Sequence, residues 1–300
     1  MESTKYHETL FGNAAVTRNI SESVKSQLKE IANKSGEPFQ AVLNRFGIER
    51  LLYRISILPA TRNYLLKGAQ LFNLWYDQPF RPTKDIDFLG FGSNDLEEIR
   101  KLFIDLSDLD LADGLTFDSD TVRVFKMNEE NRYPGVRVAL IGRLNRSEIS
   151  VKIDIGFGDK VTTLPEEAVF PVLIDEFPQP KLFVYPIHTV VAEKVEAIVR
   201  FGLINSRLKD YFDLQMIFKM EEIEERVLID SIIATFSHRG TEIPSDVPPG
   251  LSPEYFLDQR NRIQWRAFLH KNELGEKELE PVVQEIAVKL VPILRKASNG

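Results

Sequence analysis

The sequence predicts an α+β fold, and three observations carry that expectation. Apolar residues recur at helical spacing over the first 60 residues, the period changes to two in the middle of the chain, and helical spacing returns beyond residue 180. The pattern divides the chain into a helical preface over 1–60, a core with a small mixed or antiparallel sheet over 61–180, and a helical C-terminal domain over 181–300.

In ESVKSQLKEIAN, Val24, Leu28 and Ile31 share one helix face, and PFQAVLNRFGIERLLYRIS opens with Pro38 and continues as a second apolar-periodic helix. YLLKGAQLFNLWY reads as a helix with Gly68 in its first turn, leading past Pro79 and Pro82 into the strand DIDFLG. SNDLEEIRKLFIDL follows as a helix, with Ser93 or Asn94 as N-cap and Leu96, Ile99, Phe103 and Leu106 as its buried stripe. From 121 to 158, VRVFKM, VRVALIGRL and ISVKIDIGFG alternate with period two around a polar turn at Asn145 to Glu148, which predicts an antiparallel meander. A proline-spaced connector, FPVLIDEFPQPKLFVYP, closes the core near residue 180. HTVVAEKVEAIVRFG, SRLKDYFDLQMIFKM, EEIEERVLIDSIIATF and KELEPVVQEIAVKLVPILRK are then helical, with a polar, proline-rich loop from Gly240 to Pro253.

A chain of 300 residues, 43% apolar and 28% charged, can bury roughly three quarters of its unfolded surface, in one large domain or two smaller ones. No apolar run approaches the roughly 18 residues of a membrane span, and MESTKYHETL lacks the layout of a signal peptide, so the expectation is a cytoplasmic protein. There is no cysteine, and the four histidines show no metal-binding spacing, so a bound metal would rest on carboxylates and be a hard ion such as Mg²⁺. The net charge of -7 argues against a protein that coats nucleic acid over its whole surface. Residues 121 to 152 nevertheless hold seven basic side chains against three acidic ones, either a local basic patch or a solvated strand face.

The run RPTKDIDFLGFG, residues 81–92, places Asp85 and Asp87 one residue apart in an apolar strand. Residues i and i+2 share a strand face about 6.6 Å apart, so the two acids project together while Ile86 and Phe88 enter the core. Such a pair needs a cation, supplied by Arg81 and Lys84 or by a bound Mg²⁺; a solvated strand end is the plain alternative. Asp154 lies on a second strand that also ends in Gly-Phe-Gly, and Lys152 and Asp154 point away from the face of Ile149, Val151, Ile153, Ile155 and Phe157. If its strand adjoins that of Asp87, the three acids could hold one or two metal ions for displacement at phosphorus, or Asp154 could act as general base beside one ion. Lys67 and Gly68 add a turn that lets backbone approach a phosphate, at the N-terminus of the helix predicted there.

Taken together, LLKGAQLF, RPTKDIDFLGFG, VKIDIGFGD, VVAEKVEAIV and RLKDYFDL resemble successive blocks of the AbiEii/AbiGii toxin family, within the nucleotidyltransferase superfamily of the DNA polymerase β type. The blocks keep the family's order and span residues 65 to 214. The resemblance implies a polymerase β-like core and a toxin of bacterial abortive-infection or toxin–antitoxin (phage-defence) systems that transfers nucleotides from an NTP, with Mg²⁺, to the 3′ end of tRNA. It further implies a neighbouring antitoxin, usually a winged-helix protein. By position, Asp85 and Asp87 match the metal-binding pair, with Asp154 the third carboxylate, and Thr83 matches a phosphate-contacting Ser or Thr. Lys194 matches a triphosphate-contacting lysine, and Asp210 and Asp213 match the acids of the later block. The chain departs from the pattern at Ala69, where the family usually has a second Gly or a Ser.

Physically, Lys194 flanks the apolar stripe of Val190, Val191, Ala197, Ile198 and Phe201, where a lysine commonly reaches out to water. Asp210 and Asp213 share one helix face and either favour the helix dipole, with Arg207 and Lys209 to neutralise them, or hold Lys194 at a nucleotide. The Gly-Phe-Gly pairs read as strand-ending turns, His188 as a cap or surface residue, and Trp75, Tyr76 and Phe80 as core. Competing functions are a glycosyltransferase with an Asp-x-Asp metal site, a non-catalytic binding protein, and nucleotidyl transfer to a protein or small-molecule hydroxyl.

Overall fold

The structure is a computed structural model, and it describes residues 20–76, 83, 85–127, 135–159, 161 and 165–299. Phe80, Arg81 and Lys84 lie outside the described residues, as do Pro79, Pro82 and Arg132. In order, the first elements are α1 (20–35), α2 (Phe39–Ile57), β1 (Tyr64–Lys67), α3 (Gln70–Trp75), β2 (Asp85–Gly90) and α4 (Leu96–Ser107). There follow β3 (Leu115–Lys126), β4 (Gly135–Leu144), β5 (Ser147–Phe157), β6 (Glu166–Val169) and β7 (Lys181–Val184). The helices α5 (Ile187–Phe201), α6 (Leu208–Met220), α7 (Glu225–Arg239), α8 (Pro253–Leu257), α9 (Gln259–Lys271) and α10 (Leu279–Ser298) complete the chain. The chain forms two compact units, one around the sheet, the other from Tyr185 to the C-terminus together with Asp159–Glu166. Among the described residues no helix is long and apolar enough to cross a membrane.

The first unit is a seven-stranded mixed sheet in the order β3-β4-β5-β2-β1-β7-β6. β2 runs parallel to β5 and β1 parallel to β7, while β1–β2, β3–β4 and β4–β5 are antiparallel. The meander expected from 121 to 158 is present, and the strand period explains it: Ile149, Val151, Ile153, Ile155 and Phe157 are buried on one face while Lys152 stays exposed on the other. Helix α2 packs on β5 and β7, and α4 on β3. Gly47 allows α2 to lie close to the sheet, since a Cβ there would stand 2.6 Å from Ile149 Cγ2. The turn between β4 and β5 narrows to Asn145 and Arg146, with Asn145 at φ 55°, a conformation asparagine tolerates well.

Several elements differ from expectation. Tyr64–Lys67 is a strand, and the helix after it shrinks to Gln70–Trp75. Leu65 and Leu66 are both buried, so an inner strand covered on both faces shows no alternation and looks like the first turn of a helix. Strand β3 begins at Leu115, before an irregularity between Asp118 and Arg123 that interrupts its alternation; β7 lies in what reads as connector, and β6 just ahead of it. The N-cap of α4 is Asp95, whose carboxylate accepts from the N–H groups of Glu97 and Glu98; Ser93 Oγ accepts from Asp95 N–H instead. His188 sits inside the first turn of α5, after an N-cap at Pro186.

A buried ion cluster fixes α2. Arg54 is bidentate on Asp113, at 2.8 and 3.2 Å, and also donates to the carbonyls of Leu109, Leu115 and Arg50. Arg50 lies 3.3 Å from Asp113 Oδ2, donates to Pro178 O, and stacks against Tyr53 and Phe177. Glu49, almost wholly buried, accepts from Leu173 N–H at 2.7 Å.

In the second unit, α5 packs on α7, and α10 on α6 and α7. Arg239, at the end of α7, joins Glu193 and Glu196 of α5 and Asp159 at 3.1 to 3.3 Å. Tyr211 and Tyr255 stack, donating to Gly250 O and Asn205 O respectively. Trp75 and Tyr76 pack with Phe72 in the first unit, Tyr76 as a buried core residue and Trp75 half-buried.

Burial pushes the Glu49 carboxyl up to about 8, against the opposing pull of the Leu173 N–H and Arg50. Between an unfolded value near 4.5 and about 8, the unfolded chain releases this proton while the folded chain keeps it, so stability falls as pH rises through that window. Glu49→Gln is expected to match the wild type in thermal unfolding near pH ~5 and to exceed it above pH ~8, removing a slope of up to ~1.4 kcal/mol per pH unit. Parallel wild-type and variant slopes would show that Glu49 is not held neutral.

Candidate active site

Strand alternation builds the first set of charges. Ile86 and Phe88 are wholly buried, which turns Asp85 and Asp87 to the opposite face of β2. β2 lies between β1 and β5, and the register sets Lys67 opposite Asp87 on one side and Asp154 opposite Asp87 on the other. Across the next strand Arg137 faces Asp154, donating from Nε and Nη2 to its two carboxylate oxygens at 2.7 Å each. Lys67, Asp87, Asp154 and Arg137 thus form one row across four strands, with the acids flanked by cations. The hydrogen bonds to Asp154, and then the charges of Asp154, Asp85 and Asp87, raise the Arg137 pKa above its ordinary value, so the guanidinium stays charged.

The turn after β1 approaches this row closely. Gly68 has φ +72°, and a Cβ at this position would collide with the Asp87 carboxylate. Ala69 is the N-cap of α3 without a side-chain hydrogen bond, and α3 has six residues, too short for the sizeable dipole expected of a phosphate-binding helix N-terminus. Backbone space beside Asp87, rather than a helix end, is what the Lys67–Gly68 turn supplies. Gln70 donates to Asp85 O at 3.1 Å, and Thr83 donates to the same carbonyl at 3.5 Å, so both tether the start of β2.

The donor set suits a hard divalent cation in chemistry, with two adjacent carboxylates and no thiolate, and the absence of a side chain at Gly68 leaves room for the Asp87 carboxylate. Asp85 and Asp87 are the pair that fit such an ion. Among the described residues no three acidic or histidine side chains converge as ready ligands. Both oxygens of Asp154 are engaged by Arg137, which accounts for the missing third ligand.

The second set lies in the C-terminal unit. Lys194 of α5 donates to Asp210 Oδ1 at 3.1 Å and Asp213 Oδ2 at 2.8 Å, while Arg207 Nε donates to Asp210 Oδ2 at 2.6 Å. Asp210 and Asp213 are almost fully buried, and the Lys194 side chain is 13% exposed. Lys194 therefore does not extend to bulk water. Burial alone would raise the Asp210 carboxyl, but Lys194 and Arg207 together hold it below the usual range. The start of α6 is fixed by Asn205, whose Oδ1 accepts from Arg207 N–H and whose carbonyl accepts from Tyr255.

Sequence reasoning overlooked Arg137, counting it only within the basic surplus of residues 121 to 152. Its outward position in VRVALIGRL is legible from the alternation. Its partner is set by the β4–β5 register, 17 residues away in sequence.

The sequence profile of the AbiEii family, described as a nucleotidyl transferase toxin of a Type IV toxin–antitoxin system, matches residues 50–288. In three dimensions the chain is similar to MenT4, a nucleotidyltransferase toxin from Mycobacterium tuberculosis, with a TM-score of 0.52 and 17% identity over 92% of this chain and 98% of that one. A second solved structure, JHP933 from Helicobacter pylori, gives a TM-score of 0.47 and 13% identity over 87% of this chain and 94% of that one. No curated protein matches the chain in sequence. The mixed sheet and the helical C-terminal region fit the fold of the MenT nucleotidyltransferase.

Two stability measurements check this geometry. Gly68→Ala is expected to cost about 1–3 kcal/mol in chemical denaturation, from positive φ and the collision with Asp87. Lys194→Met leaves two buried acids short of a cation and is expected to cost about 3–5 kcal/mol. Adding Asp213→Asn should recover part of that loss; a double variant no better than the single one would mean that Lys194 is not their counter-charge.

Proposed function

Because the chain belongs to the AbiEii family of toxin nucleotidyltransferases from Type IV toxin–antitoxin systems, we propose that it transfers a nucleotidyl group from an NTP to the 3′ end of tRNA, with Mg²⁺ held by Asp85 and Asp87. The observation that carries this reading is the acidic pair on an open strand face, backed by two wholly buried apolar residues and approached by a side-chain-free turn. When bound, the ion neutralises charge on the triphosphate and polarises the phosphoryl oxygens. The acceptor hydroxyl attacks the α-phosphorus as the bond to pyrophosphate breaks in line, its proton passing to solvent and pyrophosphate leaving.

The remaining residues position and neutralise. Gly68 lets the backbone lie close against the Asp87 carboxylate, and Lys67 and Arg137 flank the acids with positive charge that would face the phosphates. Arg137 is a planar fork suited to phosphate as well as carboxylate. On this reading it exchanges Asp154 for the triphosphate, and Asp154 then joins Asp85 and Asp87 as the third acid. Lys194 is assigned a triphosphate contact, and Asp210 and Asp213 hold its ammonium group in place. Thr83 is assigned a phosphate contact. An antitoxin partner goes with the family; a winged-helix fold for it, action in the cytoplasm and a role in phage defence belong to the proposal.

The test is incubation of the purified protein with each labelled NTP, Mg²⁺ and total tRNA, beside Asp87→Ala. Label in RNA that falls about a hundredfold or more in the variant, ~2.7 kcal/mol of transition-state stabilisation, is the expected result. Label in protein alone would overturn the tRNA acceptor, and undiminished labelling by the variant would overturn the metal assignment.

A further inference from the structure

The row of charges does not stop at Arg137. On edge strand β3, Phe125 stands directly opposite Arg137, so the row runs Phe125, Arg137, Asp154, Asp87, Lys67. One step along the strands a second row runs Arg123, Ala139, Lys152, Asp85 on the same face. Phe125 is 52% exposed, a large ring left open to water with Arg137 directly opposite it and Arg123 two residues away on the same strand. Among the described residues neither Arg123 nor Lys152 forms an ion pair with a carboxylate; Arg123 donates to the carbonyls of Asp120 and Val122, and Lys152 stands opposite Asp85 in the register. Arg143, farther along β4 on this face, is by contrast paired with Asp118 and Glu148. On this face, among the described residues, the basic side chains without a carboxylate partner thus stand in the row that ends at Asp85, in a protein whose net charge is -7.

We propose that this open face of β3, β4 and β5 is the binding platform for the single-stranded end of the RNA acceptor, with a base stacked on Phe125 and the backbone phosphates on Arg123 and Lys152. The proposal rests on the transferase reading above and adds where the acceptor lies. Phe125 is three interstrand spacings from Asp87, about 14 Å, a distance spanned by a few nucleotides leading to a 3′ hydroxyl at the acids. A sheet face with an exposed ring and cations near it suits unstacked bases, which offer their π-faces to any aromatic side chain. A duplex keeps its bases stacked inside and has no face for Phe125, so a single strand is the occupant that fits.

Binding of a fluorescent oligoribonucleotide of tRNA 3′-end sequence, measured by anisotropy without NTP, tests the platform in the full-length protein. Phe125→Ala is expected to weaken binding about tenfold, and Phe125→Trp to restore it. Arg123→Glu with Lys152→Glu should weaken binding further and flatten its salt dependence. In the transfer assay these variants should raise the KM for RNA and leave the KM for NTP unchanged, with unaltered thermal unfolding. Wild-type RNA labelling together with unchanged oligonucleotide affinity in both variants would overturn the platform while the transferase reading stands. A wild-type protein that labels protein and no RNA would overturn both.

Discussion

Burial of Ile86 and Phe88 beneath the sheet is the constraint on which the site depends. Two wholly buried residues at alternate positions leave the strand no freedom to rotate, so Asp85 and Asp87 must face the other way. The parallel pairing of β2 with β5 then brings Asp154 beside Asp87, and like charges so near one another demand cations. The neighbouring strands supply them in register, Arg137 from β4 and Lys67 from β1. A one-residue slip of β4 or β5 would turn Arg137 or Asp154 into the apolar layer and dissolve the row.

The two units meet the cost of charge in different ways. On the sheet face the acids are reachable from solvent, which is a condition for exchanging one cation for another. In the helical unit Asp210 and Asp213 are buried, and Lys194 and Arg207 are bound to them at hydrogen-bond distance. Two desolvated acids paired in this way hold Lys194 in one geometry, because moving it away would strand their charge out of water. The stacked Tyr211 and Tyr255, each anchored to a backbone carbonyl, extend that rigidity to the start of α6.

The same economy of charge appears under α2, where Arg54 and Arg50 share Asp113, while Glu49 accepts from the Leu173 N–H and has Arg50 only at 3.9 Å. A carboxyl so placed is more stable protonated, and the helix that it belongs to carries the packing surface for β5 and β7. Stability of the sheet, and hence of the register that assembles the acids, is in this way tied to pH.

What could be read from the residues alone was whatever repeats with a short period or sits in a contiguous block. The alternation of DIDFLG and ISVKIDIGF assigned the outward positions of Asp85, Asp87 and Asp154, and the spacing of Lys194, Asp210 and Asp213 placed all three on helices. Tyr64–Lys67 escaped detection because a strand buried on both faces carries no alternation, and β3 lost its beginning to an irregularity in register. The sequence by itself determined which side chains leave the core and which chemistry they offer, since periodicity is a local property of the chain. Only the tertiary structure decided their partners: Arg137 on Asp154, Lys194 between two buried acids, and Phe125 in line with the acidic pair. Those contacts arise from strand register and helix packing between segments far apart in the chain, which no local period encodes.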